Sequence, residues 1–532
     1  MGNIVLVGFS TTGKSQVARR AARLLGWEWV DTDQEIERQA GKPIPRIFAE
    51  DGEAHFRQWE SRVLRQALAG EGHVIATGGG AVLGPANREL MAQRGLVVLL
   101  EASPETIYQR LAQDPENPRP LLQAPDPLAR IRELRAQRQP FYSFAHRTIP
   151  TDALLPQAVA RRVMTAWKEW STPAAVVETA TRSYPVWVRW GGLEGLGGLM
   201  REQGLRGHAV IISDDQVYPP FGSRVAASLE GSDFSVLGLS VPAGEGSKTL
   251  EKAGEIYERL AEARVERGWA VVALGGGMVG DLAGFVAATY LRGLPLVQVP
   301  TSLVAMVDAS IGGKVAVNLP QAKNLVGAFY QPHLVLADPS CLLTLPRREL
   351  ISGFAEVIKH GLIRDEKLFS FLEQEREKLL ALEPEAITRA ISWSVRVKAR
   401  VVSQDERETG VRTLLNYGHT VGHALEAATG YRKILHGEAV ALGMVAAGRL
   451  SQRLGLLTEA EVKRQEALLG AYGLPLSCPG VKLARVLEAM ELDKKVRGGE
   501  VRWALLKAIG RAVRGRVPGE QVEAVLEELL EG

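Results

Sequence analysis

The stretch IVLVGFSTTGKS, Ile4 to Ser15, followed by a helical pattern from Gln16 to Leu25, decides the fold of the first part of the chain. The strand Ile4 to Val7 runs into a loop from Gly8 to Ser15 and then into a helix, the context that a phosphate-binding loop requires. Backbone N–H groups between Gly8 and Gly13, with those of the helix N-terminus, suit the phosphates of a nucleotide. Lys14 can reach the β and γ phosphates, and the Ser15 hydroxyl can ligate Mg2+. A glycine-rich turn that merely opens a helix does not call for the complete spacing. Short apolar runs such as Val74 to Ala76 and Val97 to Leu100 alternate with longer helical patterns, including Ala54 to Leu68. That alternation is the α/β signature.

After Trp170 the chain reads STPAAVVETATR, with little periodicity, before Tyr184 to Trp190 resumes as an alternating strand. Strands recur at Ala209 to Ser213, Ala270 to Leu274 and Pro295 to Val299, and from Glu349 the pattern is almost entirely helical. The expected organisation is a first domain over 1–170, a linker over 171–182, an α/β domain over 183–345 and an α-helical domain over 346–532. A chain of 532 residues is long enough for about three or four domains. No internal repeat at a fixed period points to a solenoid or propeller.

Composition excludes several classes. With 46% hydrophobic and 23% charged residues the chain is globular, and 64 basic against 61 acidic residues give no field that implies nucleic acid. Two cysteines, Cys341 and Cys478, make neither a disulfide framework nor a metal motif. The apolar window Trp269 to Leu291 is broken by Gly275, Gly276, Gly277 and Asp281, which suits a strand, turn and helix better than a membrane span. No export or lipidation signal is read at the N-terminus, so a cytoplasmic protein is expected.

Two stretches of the second half carry chemistry. NYGHTVGHALEAATGYRKILHGE, Asn416 to Glu438, places His419, His423 and His436, three of nine histidines, in one segment. His419 and His423 are four apart, so on a helix both imidazoles leave one face, where a divalent ion can join one of them to ligands from elsewhere. Such pairs also arise on ordinary helix faces, but here Arg412, Asn416 and Glu438 crowd the same region, and GFAEVIKHG, Gly353 to Gly361, offers Glu356 as a further ligand. The second stretch, VVALGGGMVGD, Val271 to Asp281, has the Gly275, Gly277, Gly280 spacing of a dinucleotide fingerprint. The acidic residue of a standard Rossmann unit is missing about 20 positions on, where the chain reads LPLVQVPTS.

DTDQEIE from Asp31, GKPIPRIFAEDGEAHFRQWE from Gly41, ATGGGAV from Ala76, RPLL from Arg119 and RQPFY from Arg138 follow one another in the order and spacing of the shikimate kinase family. The first 168 residues or so resemble that family. The resemblance implies that Asp31 helps Ser15 hold Mg2+ and that Asp33, Arg57, Gly79, Gly80 and Arg138 hold shikimate. Arginines suit its carboxylate by bidentate pairing, and Asp33 can accept the proton of the attacking hydroxyl. Arg119 is implied to close over the transferring phosphoryl group, and Arg110 to flank adenine. The chain departs from the family at Thr11, where glycine is usual, and at Gln16, where a small hydroxyl residue is usual.

Together with PAGEGSK from Pro242, TSLVAMVDASIGGKVAVN from Thr301 and KNLVGAFYQP from Lys323, the glycine and histidine segments make the chain from about Tyr184 onward resemble 3-dehydroquinate synthase. By that resemblance Glu356, His419 and His436 ligate Zn2+ or Co2+. Glu245, Lys248, Gly277, Asp281, Thr301, Ser302 and Thr344 line an NAD+ site, with Lys314 and Lys323 beside it. Asp308, Lys314, Lys359, Arg412 and His423 are implied in catalysis. Arg292, Lys323, Asn324, Lys398, Asn416 and one of Lys494 and Lys495 are implied in binding substrate. Any one of these lysines alone reads equally well as solvated surface. Together they match a seven-carbon keto acid phosphate, whose carboxylate and phosphate both need cations.

The implied fold is a P-loop kinase, a parallel sheet with flanking helices, followed by an NAD-binding α/β domain and an α-helical metal-binding domain. The implied enzyme is bifunctional: it phosphorylates shikimate with ATP and Mg2+, and converts 3-deoxy-D-arabino-heptulosonate 7-phosphate to 3-dehydroquinate. Its expected partners are these small molecules and a second copy bound through the synthase part, with no nucleic acid or membrane. The alternative is a metal-dependent polyol dehydrogenase fused to an ATP-binding regulatory module. A polyol needs no carboxylate or phosphate clamp.

Overall fold

All five residues of the first strand, β1 (Asn3–Val7), are buried, and their alternation sends them to two cores. Ile4 and Leu6 pack with Val17, Ala21 and Val163, on helices Lys14–Leu25 and Pro156–Ser171. Val5 and Val7 pack with Leu64 and Met91, on helices Gly52–Ala69 and Pro85–Arg94. A strand covered on both faces can be apolar at every position, which is why it reads as a run. Each such aliphatic side chain contributes about 1.5–3 kcal/mol by leaving water.

The computed structural model describes residues 2–113, 124–430, 433–496 and 502–531, and of the 492–496 segment only its backbone. The chain divides into two units, one running to Pro173 and taking in Leu193–Gly195, the other comprising the rest. In the first unit β2 (Glu28–Asp31), β3 (His73–Ala76), β4 (Gly95–Glu101) and β5 (Arg147–Pro150) join β1 in the order β2-β3-β1-β4-β5. Every pairing is parallel.

The second unit begins inside the stretch expected to be a linker. Ser171 still belongs to helix Pro156–Ser171, and β6 (Ala175–Glu178) pairs antiparallel with β7 (Ser183–Val188). Val176 and Val177 give the segment its strand preference. Tertiary bonds complete it: the Glu178 amide donates to Ser403 Oγ at 2.9 Å, and Thr181 Oγ1 donates to Glu406 at 2.8 Å. The remaining strands are β8 (Gly207–Asp214), β9 (Phe234–Val241), β10 (Ala270–Gly275), β11 (Leu296–Pro300), β12 (Lys314–Leu319), β13 (Ala322–Phe329) and β14 (Leu334–Ala337). The main sheet runs β6-β7-β14-β11-β10-β8-β9, and β12 with β13 forms a separate hairpin.

Beyond this sheet the unit is helical, as the pattern from Glu349 predicts, apart from a hairpin of β15 (Trp503–Ala508) and β16 (Arg511–Gly515). Gly510, at φ 84, makes the turn that a helical reading of this segment overlooks. Helices Arg347–Arg364, His419–Ala428 and His436–Arg453 converge because glycines let their backbones touch. A Cβ at Gly443 would lie 1.8 Å from the Gly418 carbonyl oxygen, and one at Gly437 would lie 1.8 Å from that of Ser352. Among the described residues no helix is long and apolar enough to cross a membrane.

Candidate active sites

In the first unit the phosphate loop closes on its own lysine. Lys14 Nζ donates to the carbonyls of Gly8 and Phe9, both at 2.8 Å, so the ammonium sits buried within the loop. Gly13, at φ 91, caps the helix that Lys14 opens. Ser15 Oγ donates to Asp31 Oδ2 at 2.5 Å, and a hydroxyl and a carboxylate so close fit a hard cation with oxygen ligands. Asp31 Oδ1 meanwhile caps helix Thr32–Ala40, accepting from the Asp33 amide at 3.0 Å. Thr11 has φ 61, the left-handed backbone that the family's usual glycine adopts without cost, and Arg110 holds the loop by donating to the Thr11 carbonyl at 3.5 Å. Two further bonds tie the Arg110 guanidinium to Thr151, at 2.7 and 3.1 Å. Gln16 lies on the exposed side of the helix.

The second cluster of this unit gathers Asp33, Arg57, Arg138, Gly79 and Gly80. A Cβ on Gly78 would lie 2.5 Å from Asp33 Oδ1 and 3.0 Å from Glu60 Oε1, so the two carboxylates approach over a bare backbone. Arg57 Nη1 donates to Glu60 at 2.8 Å and packs over Gly80, while Arg138 donates to the Gly79 carbonyl at 3.1 Å. Glu60, 1% exposed, escapes a reading of the sequence because it looks like any helix acid. Burial pushes its carboxyl above the ordinary range, against the pull of Arg57. Arg119 lies outside the described residues.

In the second unit Glu356, His419 and His436 bring one ligand atom each within 4.8 Å of one another. The Glu356 carboxylate is fully buried and neither of its oxygens accepts a hydrogen bond, although Lys359 pairs with it. His419 Nε2 and His436 Nε2 stand 3.6 and 3.7 Å from Glu356 Oε1. A buried carboxylate facing two imidazoles fits a divalent transition metal. Burial holds the His419 imidazole well below its usual pKa and thus neutral, the form that ligates. Burial also lowers His436, but Glu356 and Glu426 outweigh it and push His436 up to about 10. His423 is exposed, with its ring 5.3 Å from that of His419. Glu438 does not join this site: it pairs with Arg348 at 2.7 Å and caps its own helix by accepting from the Leu435 amide.

Asp308 adjoins the triad, within 4.8 Å of ligand atoms on Glu356 and His360, and pairs with Lys398. Burial alone would raise the Asp308 carboxyl, but Lys398 and Lys359 drive it well below the usual range. Lys314 pairs with Glu408, which also accepts from Asn416 at 2.7 Å. Arg412 is buried and donates to the Gly312 carbonyl at 3.2 Å. Lys248 Nζ binds Asp281 at 2.5 Å and Asn324 at 2.6 Å, and Glu245 accepts from Asn318 at 2.8 Å. Burial pushes Asp281 up to about 6, opposed by Lys248.

Gly277 opens helix Gly277–Thr289 directly after β10, and Thr301 and Ser302 follow β11 at the same carboxyl end of the sheet, where the Thr301 amide donates to the Gly275 carbonyl at 3.0 Å. This is the place where parallel sheets bind ligands. Lys323 lies on β13, Arg292 has φ 69 in the turn before β11, and Thr344 donates to the Cys341 carbonyl at 3.1 Å. Lys494 and Lys495 lie on helix Leu483–Val496, with side chains outside the described residues.

Comparison with known proteins agrees with this division. The family model for shikimate kinase matches residues 10–168, and those for the N-terminal and C-terminal parts of 3-dehydroquinate synthase match 238–352 and 353–496. The 3-dehydroquinate synthase of Citrifermentans bemidjiense is 49% identical over 316 residues, 59% of this chain and 87% of that protein. That of a Synechococcus species is 46% identical over 363 residues, 67% and 98% of the two chains. Among solved structures, ValA, the 2-epi-5-epi-valiolone synthase of Streptomyces hygroscopicus with NAD+ and Zn2+ bound, aligns at a TM-score of 0.61 and 32% identity, over 65% of this chain and 97% of its own. A 2-deoxy-scyllo-inosose synthase complexed with carbaglucose-6-phosphate, NAD+ and Co2+ aligns at 0.61 and 28%, over 67% and 100%. The chain therefore belongs to two enzyme families joined in one polypeptide, the shikimate kinases in its N-terminal unit and the 3-dehydroquinate synthases in the remainder.

Proposed function

We propose that the second unit converts 3-deoxy-D-arabino-heptulosonate 7-phosphate to 3-dehydroquinate with release of phosphate, and that the first transfers the γ-phosphoryl group of ATP to the 3-hydroxyl of shikimate. The observation that carries this reading is the cluster of Glu356, His419 and His436, adjoined by Asp308, Lys359 and Lys398. Glu356, His419 and His436 would hold Zn2+ or Co2+, and Glu245, Lys248, Gly277, Asp281, Thr301, Ser302 and Thr344 would hold NAD+. When bound, this pair supplies a polarised secondary hydroxyl and a place for its hydride, which makes the neighbouring C–H acidic. Lys314, Lys323, Asn324, Lys398, Arg412 and Asn416, with Arg292, hold the substrate's carboxylate and phosphate so that the departing phosphate lies close to the proton it takes. His423, exposed beside the cluster, contacts substrate in this reading.

In the kinase unit Ser15 and Asp31 would hold Mg2+, and Lys14 the β and γ phosphates. Arg57 and Arg138, with the bare backbone at Gly79 and Gly80, orient shikimate, and Asp33 takes the hydroxyl proton as its oxygen attacks phosphorus. Arg119 closes over the phosphates in this reading.

NAD+ is expected to be needed in catalytic amounts only. Phosphate release should continue for many turnovers while NADH stays below one equivalent of enzyme, followed by absorbance. Stoichiometric NADH from a simple polyol would favour a polyol dehydrogenase beside an ATP-binding regulatory module.

The boundary between the units gives a second expectation. Residues 1–173 and 174–532, expressed apart, should each keep kcat/KM within about tenfold of the intact chain, a difference of ~1.4 kcal/mol. A larger fall in either half would show that the units depend on one another. A cut after Arg182 is expected to do worse, because it strips β6 from its sheet.

A further inference from the structure

We propose that His423, Glu426 and His436 form an outer loading site, where a divalent transition metal is captured before it reaches Glu356, His419 and His436. The inference rests on the reading above, in which that inner group holds the catalytic ion. His423, Glu426 and His436 also bring one ligand atom each within 4.8 Å of one another. Helix His419–Ala428 serves both groups, because the spacing of His419, His423 and Glu426 keeps them on one helix face. Helix His436–Arg453 supplies the shared residue at its first position. Gly422 lets the two helices approach: a Cβ there would lie 3.0 Å from the Ala439 carbonyl oxygen.

The shared imidazole faces both ways. His436 Nε2 stands 3.7 Å from Glu356 Oε1, whereas Nδ1 stands 3.4 Å from Glu426 Oε2. Its ring centroid is 5.4 Å from that of His419 and 6.1 Å from that of His423. A neutral imidazole offers one free lone pair, so His436 serves the outer group through Nδ1 or the inner group through Nε2, in turn and not together. Passage inward exchanges those roles. Nδ1 regains a proton and donates it as a hydrogen bond to Glu426, while the Nε2 proton leaves to solvent.

Exposure rises from the inner group to the outer. The Glu356 side chain is 0% exposed and that of His419 11%, whereas that of His436 is 36% exposed and His423 is exposed. Lys359, itself buried, already pairs with Glu356, so an ion arriving directly from water would meet a buried ammonium. The outer carboxylate suits first capture. Burial alone would raise the Glu426 carboxyl, but the hydrogen bond from His436 and the charges of His436, His423 and Lys323 outweigh it, and Glu426 stays an anion. Two imidazoles and one carboxylate suit Zn2+ or Co2+ better than Mg2+. At this group a hydrated ion exchanges part of its water for protein donors before it enters the buried one.

Uptake of Co2+ by the metal-free full chain, followed by its visible absorbance with Mg2+ present to occupy Ser15 and Asp31, tests the inference. In His423→Ala, uptake is expected to be about tenfold slower, with the final affinity within about threefold of the wild type. A residue met only on the way in speeds entry and exit alike, so rate and affinity separate. Glu426→Gln keeps the shape, removes the charge and should slow uptake at least as much. His419→Ala breaks the inner group alone and should retain a weak, rapidly reversible Co2+ site, which adding His423→Ala weakens at least about tenfold. Unslowed uptake in His423→Ala, or a weak site in His419→Ala that survives loss of His423, overturns the inference. So does an affinity that falls as far as the rate, which would assign His423 to holding the bound ion. Tight Co2+ binding that persists in His419→Ala would instead sink the reading of the inner group, and a wild type that takes up no Co2+ contradicts both.

Discussion

Lys14→Met is expected to abolish ADP formation with shikimate, by about 100- to 1000-fold or more, while phosphate release from the heptulosonate phosphate stays unchanged. Methionine keeps most of the length of the stem and loses the ammonium, which the loop already encloses between the carbonyls of Gly8 and Phe9. With phosphates in the loop, that ammonium is the one side-chain charge of the motif directed at the transferring group. The strand beneath it, β1, is buried on both faces and does not depend on Lys14 for its packing. A coupled assay for ADP and a colorimetric assay for phosphate, run on the same preparation, measure the two effects. Loss of both activities in a folded variant would contradict the two-site account.

His419→Ala is expected to do the converse. A site reduced to Glu356 and His436 loses one ligand of three, and metal affinity should fall by at least about 10- to 100-fold, with synthase activity lost and kinase activity kept. Chelation of the wild type should reproduce the loss, and Zn2+ or Co2+ should restore it in the wild type only. Apparent metal affinity should climb as pH rises, because His436, pushed up to about 10 without metal, must give up its proton to ligate. Metal content by atomic spectroscopy accompanies each rate. An unchanged synthase rate after verified metal removal would count against the assignment.

The parts of both sites that the sequence makes legible are those whose chemistry is fixed by local spacing. The phosphate loop has to be contiguous because one turn must present several amides to one ligand, and His419 announces itself by a crowded segment. What stays hidden are single carboxylates whose partner is chosen by tertiary folding. Glu60 is one acid on a charged helix until Gly78 lets it face Asp33, and Glu408 is one of several charges in QDERETG until Asp405 turns the backbone beneath it. Glu438 errs in the other direction: its place three residues after Leu435 is that of a helix cap, and a cap it is. The strand β6 was obscured for a related reason, since four residues of edge strand owe as much to Ser403 and to β7 as to their own preference.

The central claim is that one polypeptide carries two unrelated reactions on two separate sites. Its most direct test is to give one purified preparation ATP, Mg2+ and shikimate in one vessel and the heptulosonate phosphate with NAD+ and Zn2+ or Co2+ in another, following ADP in the first and phosphate in the second. The account predicts ADP that depends on shikimate, and phosphate that depends on the metal, with dehydroquinate formed in equal amount. Absence of either activity from a folded, metal-loaded preparation that shows the other would contradict it.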